Sequence, residues 1–196
     1  MNLTKILTIV FFVVALGLAY YLFYSIKSEI DNRARISEVE AQVIEKLKMI
    51  REAQTAYLAS NKEYTGEWAK LLSFIDTGKI YIIQKREEII TLDYGADSVI
   101  IHTDTLGSVP VMDSLFNDAK YPEFKLDELP LIPESKGKKF EMFADKISKG
   151  NVEVDVVEVK DIAPFDKTRK EDNEGRNRQP LRFGSRSQVT ISGNWE

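Results

Sequence analysis

From Ile6 to Tyr24 the chain reads ILTIVFFVVALGLAYYLFY, with no charge and with Thr8 as the only hydroxyl outside the tyrosines. As a helix rising 1.5 Å per residue, this run is about 28 Å long, close to the hydrocarbon thickness of a bilayer. It is apolar on every face, whereas a surface helix of a soluble protein keeps a polar face. The pattern predicts a membrane anchor over residues 1–25, with Ile6, Val10, Phe11, Val14, Leu18 and Tyr21 against lipid. Tyr20, Tyr21 and Tyr24 suit the interface, and Lys27 can snorkel from just beyond it. A cleaved signal peptide is the competing reading, since Gly17-Leu18-Ala19 offers small residues for a peptidase. The apolar run continues past that site and only Lys5 precedes it, which favours retention.

The period then changes. Residues 25–61 contain neither Gly nor Pro and are rich in good helix formers. Ile36, Val43, Ile50 and Tyr57 recur every seven residues, with Val39, Leu47 and Ala53 beside them. Glu38, Glu45, Lys48 and Glu52 occupy the opposite face. This predicts an amphipathic stalk helix over 26–62. Lys46 and Gln54 occupy positions adjacent to the apolar seam and only about three heptads hold, so a helix laid on its own domain's sheet is favoured over a coiled coil. Ile36, Val43, Ile50 and Tyr57 remain candidates for a partner interface. Trp68, Leu71, Leu72, Phe74 and Ile75 predict a short second helix.

From Lys79 the runs become short and β-branched: Ile80–Ile83, Ile89–Leu92 and Val99–Thr103, separated by turn residues. Phe140–Ile147 and Val152–Lys160, joined through Gly150-Asn151, predict a hairpin. Val152, Val154 and Val156 alternate with acids, as in a half-buried strand. Segments 109–111 and 129–133 carry prolines and are expected at edges or in loops. A polar stretch within 167–180 predicts a mobile loop, and Gln188–Ser192 a last strand. Trp195 is expected to dock the chain end onto the core, with a partner-binding tip as the alternative. Together these elements predict an α+β globular domain over 63–196 with five to seven short strands, mainly antiparallel.

Composition narrows the function. The chain has 196 residues, enough for one domain and an anchor. A net charge of −4 gives no basic excess, so nucleic acid is not an expected partner. With no cysteine, thiol catalysis and disulfides are excluded, and one histidine makes a transition-metal site improbable. That histidine, His102, lies in an apolar strand beside Thr103 and Asp104, and adjacent strand residues face opposite sides. Asp161, Asp166, Glu171, Asp172 and Glu174 could offer oxygen to calcium, but lack EF-hand spacing. No Walker A, nucleophile-elbow or zinc-protease motif occurs. No cofactor is expected, and the chain is expected not to be an enzyme. A tethered hydrolase using Asp93 and Asp97 is the least favoured reading.

The apolar helix running into an amphipathic half, then a turn containing Tyr57, Tyr64, Trp68 and Leu71-Leu72, resembles the type IV pilins and pseudopilins. The likeness covers roughly the first 75 residues. It implies a pilin-like fold, in which the long helix packs on a mainly antiparallel sheet. Substrates of the prepilin peptidase carry a Gly at the cleavage point and a Glu five residues into the mature chain; here Lys5 and Ile6 stand where a leader would end. The resemblance therefore implies a permanently anchored subunit of an envelope assembly for secretion, export or motility, rather than a fibre. It also implies an extracytoplasmic, periplasmic domain. The Lys27, Arg33 and Arg35 cluster, set against Lys5 alone, points the other way under the positive-inside rule. The expected partners are the lipid bilayer and other envelope proteins, with a homo-oligomer allowed. A tethered ligand-binding or sensor module is the alternative.

Overall fold

The computed structural model describes residues 3–91, 97–169 and 179–196. Helix α1 (Leu3–Asn61) is followed by α2 (Trp68–Thr77), the strands β1 (Lys79–Thr91) and β2 (Asp97–Pro110), and the short helix α3 (Val111–Leu115). A 3-10 turn (Leu126–Glu128) leads to β3 (Glu141–Lys149), β4 (Val152–Lys160) and β5 (Arg182–Gly184). Two antiparallel sheets form, β1-β2 and β3-β4-β5, so the layout is α+β. The chain separates into two compact units, Met1–Gln42 and Val43–Glu196. The division falls inside the long helix, not at its end near residue 62, because the apolar stripe from Val43 onward is built into the globular core.

In the first unit every side chain from residue 6 to residue 35 is exposed. No polar face accompanies the apolar one between Ile6 and Tyr24. Glu29 and Arg33, paired at 2.8 Å, belong to the polar part that follows.

In the second unit one core joins Val43, Leu47, Ile50 and Ala53 of α1 to Leu71 and Ile75 of α2. Val111, Phe116, Leu129, Ile132, Phe140, Val157, Val159, Leu181 and Phe183 complete it. The helix stripe therefore packs within its own domain. Helix α1 ends where Lys62 turns left-handed at φ 68, its N–H donating to Leu58 O at 2.8 Å. The two polar residues on the stripe act as clamps. Lys46 Nζ donates to the carbonyls of Glu128 (2.6 Å) and Leu131 (2.9 Å), and burial pushes its pKa down. Gln54, fully buried, donates to Thr65 O at 2.6 Å and accepts from Thr65 N at 3.2 Å, which pins the loop after α1 to the helix.

Replacing Gln54 with Ala leaves both polar groups of buried Thr65 without that partner, and such orphaned groups cost about 1–3 kcal/mol. Gln54→Ala is expected to lower the unfolding free energy by about 2–3 kcal/mol. Urea titration of the full chain in detergent, read by tryptophan fluorescence, measures this. Both tryptophans, Trp68 and Trp195, pack against the core and report on it.

The β3-β4 hairpin forms as its alternation predicts, with Glu141 opposite Lys160 and Lys149 opposite Val152. β4 is the central strand, and Val156, Val157, Glu158 and Val159 are all buried, so its second half is covered on both faces. Two expectations are corrected. The runs Ile80–Ile83, Ile89–Leu92 (whose Leu92 lies outside the described residues) and Val99–Thr103 are, as far as they are described, not separate strands. They belong to two long ones, and Lys85–Glu88 continues the ladder between the first two. A ladder needs only backbone pairing, so exposed charges do not end it. No strand forms at Gln188–Ser192. The third strand of the sheet is β5, paired to β4 through Val159–Phe183, and only Gly193 beyond it makes an isolated bridge to Phe183. The loop expected over 167–180 lies mostly outside the described residues.

Candidate functional site

None of the described residues forms a group of His, Asp and Glu suited to a metal ion. Asp93, Glu171, Asp172 and Glu174 lie outside the described residues. Asp161 and Asp166 turn their carboxylates onto local backbone, accepting from Ala163 N and Thr168 N at 2.8 Å each. His102 sits exposed on β2, its Nε2 2.9 Å from Glu88 Oε2, a diagonal cross-strand pair. Thr103 lies on the other face and does not join it. Among the described residues no nucleophile and third group join this pair as a catalytic set would require.

Two clefts on the described part of the globular unit are open and small. One of about 300 Å³ is lined by Tyr64, Glu67, Lys70, Asp145, Lys146 and Asp155, a polar set. Another of about 350 Å³ lies between Thr55, Ala56 and Ala59 of α1 and Leu115 and Ile191. Neither has the enclosed apolar walls of a small-molecule pocket.

Two extended surfaces remain. The first is the apolar segment of α1, in which Ile6, Val10, Phe11, Val14, Leu18 and Tyr21 are all exposed. This helix lies near the N-terminus and is long and apolar enough to cross a membrane. The second is the β1-β2 ribbon. It exposes Tyr81, Ile82, Ile83, Ile89, Ile90, Val99, Ile100, Ile101 and Leu106, although only Ile80 at its base is packed on the core. Exposed apolar surface on this scale is larger than the single scattered apolar residues that are normal on a protein surface.

Of the proposed partner-contact residues, Val43 and Ile50 are buried in the core, so their apolar surface is already used within the chain. Tyr57 is half-buried, edge-on to Phe74 at 5.2 Å between centroids. Ile36 is half-buried in the first unit. Trp195 packs against the core, with the Arg51 guanidinium 5.9 Å from its ring. Arg51 also binds Glu196 at 2.7 Å, which closes the chain end onto α1 and holds the Glu196 carboxyl below the usual range. The sequence pattern passed over the ribbon as a surface, because its apolar residues look like ordinary sheet interior.

An ion-pair group lies on the outer face of β3-β4-β5. Arg186 reaches Glu158 at 2.8 Å and Glu141 at 3.0 Å, with Lys160 3.4 Å from Glu141 and Arg186 stacked 4.8 Å over Phe143. The Arg186 hydrogen bond holds the Glu141 carboxyl below its ordinary value, and nearby Lys160 adds to the shift. A carboxylate depressed on folding contributes stability that is full above the unfolded value, near 4.5, and is lost as pH falls through the folded one. Glu128, lowered by its hydrogen bond from Lys125, acts in the same direction. The domain is therefore expected to lose stability below pH 4.5, and Glu141→Gln to make that acid limb shallower. Urea midpoints taken from pH 6 to pH 3 check this; identical slopes for the two proteins would exclude the assigned role.

Compared with protein families, curated proteins and solved structures, the chain matches no family model, no curated protein and no solved structure.

Proposed function

We propose that this chain is a non-enzymatic, membrane-anchored interaction subunit of a larger cell-envelope assembly. The observation that carries the reading is the 19-residue run from Ile6 to Tyr24, uncharged and exposed on all sides, at one end of a helix that enters a folded domain. Exposing such a run to water is strongly unfavourable, while a bilayer removes the penalty at about 25 cal/mol per Å² of apolar surface. The open ribbon adds a second surface suited to protein contact. The resemblance to pilins and pseudopilins supports a single-pass protein with its domain outside the cytoplasm, in an assembly of the secretion, export or motility type. The absence of convergent chemistry among the described residues is compatible with a structural role.

Crosslinking of tagged full-length protein in native membranes, followed by mild detergent extraction and sizing, tests the reading. A reproducible complex containing other envelope proteins is expected. A particle holding this chain alone would overturn the subunit assignment.

A further inference from the structure

We propose that the free edge of β1 pairs antiparallel with the same edge of a second copy of this chain, about a two-fold axis at Arg86. The β1-β2 sheet has only two strands, so among the described residues the outer edge of each is open. An open edge presents a row of unpaired N–H and C=O groups that another strand can satisfy. The two edges differ. β2 carries a bulge, because Ile82 faces Gly107 while Ile83 faces Thr105 and leaves Leu106 as the extra residue. Bulges break the run of an edge and twist it away. β1 is uninterrupted over its 13 residues.

The exposed stretch of β1 from Ile82 to Ile90 reads IIQKREEII. It is close to a palindrome in which the charges invert. A two-fold axis perpendicular to an antiparallel sheet places one residue opposite itself, and side chains facing across it lie on the same face. With Arg86 on the axis, Ile83 faces Ile89 and Lys85 faces Glu87 on one side of the sheet. On the other side Ile82 faces Ile90 and Gln84 faces Glu88, and each Arg86 lies diagonal to the Glu88 of the other copy. Like-with-like isoleucines and opposite charges are both favourable cross-strand pairs. Moving the axis to Glu87 sets Lys85 against Ile89; moving it to Lys85 sets Ile83 against Glu87. Of these three axes only Arg86 matches isoleucine with isoleucine and Lys85 with Glu87; it also sets the two Arg86 guanidiniums opposite each other, a like-charge pair offset by the diagonal Glu88 carboxylates.

The side chains are free to do this. Ile82, Ile83, Ile89 and Ile90 are 49%, 50%, 65% and 40% exposed. Lys85, Arg86 and Glu87 are exposed and have no ion pair among the described residues. The product is a four-stranded sheet in the order β2-β1-β1-β2, whose interior edge is formed by the two β1 strands. The pairing does not depend on the anchor or on any other envelope protein.

The chain contains no cysteine, so single thiols report on the pairing without background. In the full-length protein in detergent micelles, Arg86→Cys places two thiols opposite each other, at a Cα separation of about 4.5–5.5 Å that a disulfide can bridge. Thr103→Cys, exposed on β2, places its thiols on the far strands. Mild oxidation is expected to give a disulfide dimer from Arg86→Cys and not from Thr103→Cys. Without added cysteine, Lys85→Glu or Glu87→Lys alone sets like charges against each other and is expected to weaken self-association about tenfold. The double variant Lys85→Glu/Glu87→Lys restores opposite charges and is expected to recover it. All four positions are outside the core, and unchanged tryptophan fluorescence confirms the fold. Equal crosslinking at residues 86 and 103, a dimer indifferent to the charge reversals, or no rescue in the double variant would overturn the proposal. So would a monomer that still partitions into membranes, a result that leaves the anchor reading intact.

Discussion

Gly184→Ala is expected to destabilise the globular unit by about 3–5 kcal/mol, a large share of the total for a domain of this size. Gly184 has φ 77, where a β-carbon costs about 1–2 kcal/mol. An added Cβ would also run into the carbonyl oxygen of Val157 on β4. That carbonyl accepts from Ser185 N at 3.0 Å, so it cannot turn aside without losing the hydrogen bond. Relief requires β5 to move off β4, which loosens buried Phe183 and Leu181. Overpacking a tight site costs about 1–3 kcal/mol beyond the backbone term. Urea titration of the full chain in detergent reads the loss. A stability within 1 kcal/mol of the unaltered protein would mean that β5 is not held as described.

The second large effect concerns the other unit. Val14 is in the middle of the apolar segment and exposed. Arg at the centre of a spanning helix raises the insertion free energy by about 2.5–3.5 kcal/mol. Val14→Arg is therefore expected to lower the insertion equilibrium constant roughly a hundredfold, read as a smaller membrane-inserted fraction, while leaving the globular unit's urea midpoint unchanged. Ser25→Arg, at the end of the same helix, is expected to have little effect, since a long cation there reaches the interface. Membrane fractionation of the two variants separates position from charge. Equal losses would show that the segment is not used as a span.

The elements most legible in the sequence are those whose burial has a period. The stripe Val43–Leu47–Ile50 announces the packed half of α1, and the Val/acid alternation announces β4. Its second half escapes because Glu158 breaks the rule: it is buried, and Arg186 and Arg182 cover it from segments that follow 20 or more residues later. The long β1 strand is hidden because Lys85–Glu88 interrupts its apolar residues, and exposure rather than burial is its native condition. β5 spans Arg182–Gly184 and is too short to show a period. Lys46 and Gln54 stand out as misfits on an apolar face. Their roles depend on Glu128, Leu131 and Thr65, which the local pattern cannot supply. The anchor candidates Ile6 to Tyr21 are legible from composition alone, whereas the ribbon surface needs the fold, because only the fold shows that nothing within the described chain covers it.

Alkaline carbonate extraction of membranes from the native cell tests the central claim most directly, with the full chain compared against a form beginning at Ile26. The account expects the full chain to stay with the membrane pellet at its intact mass and the shortened form to appear in the soluble fraction. Release of the full chain by carbonate, or recovery of a protein trimmed near Ala19, would contradict it.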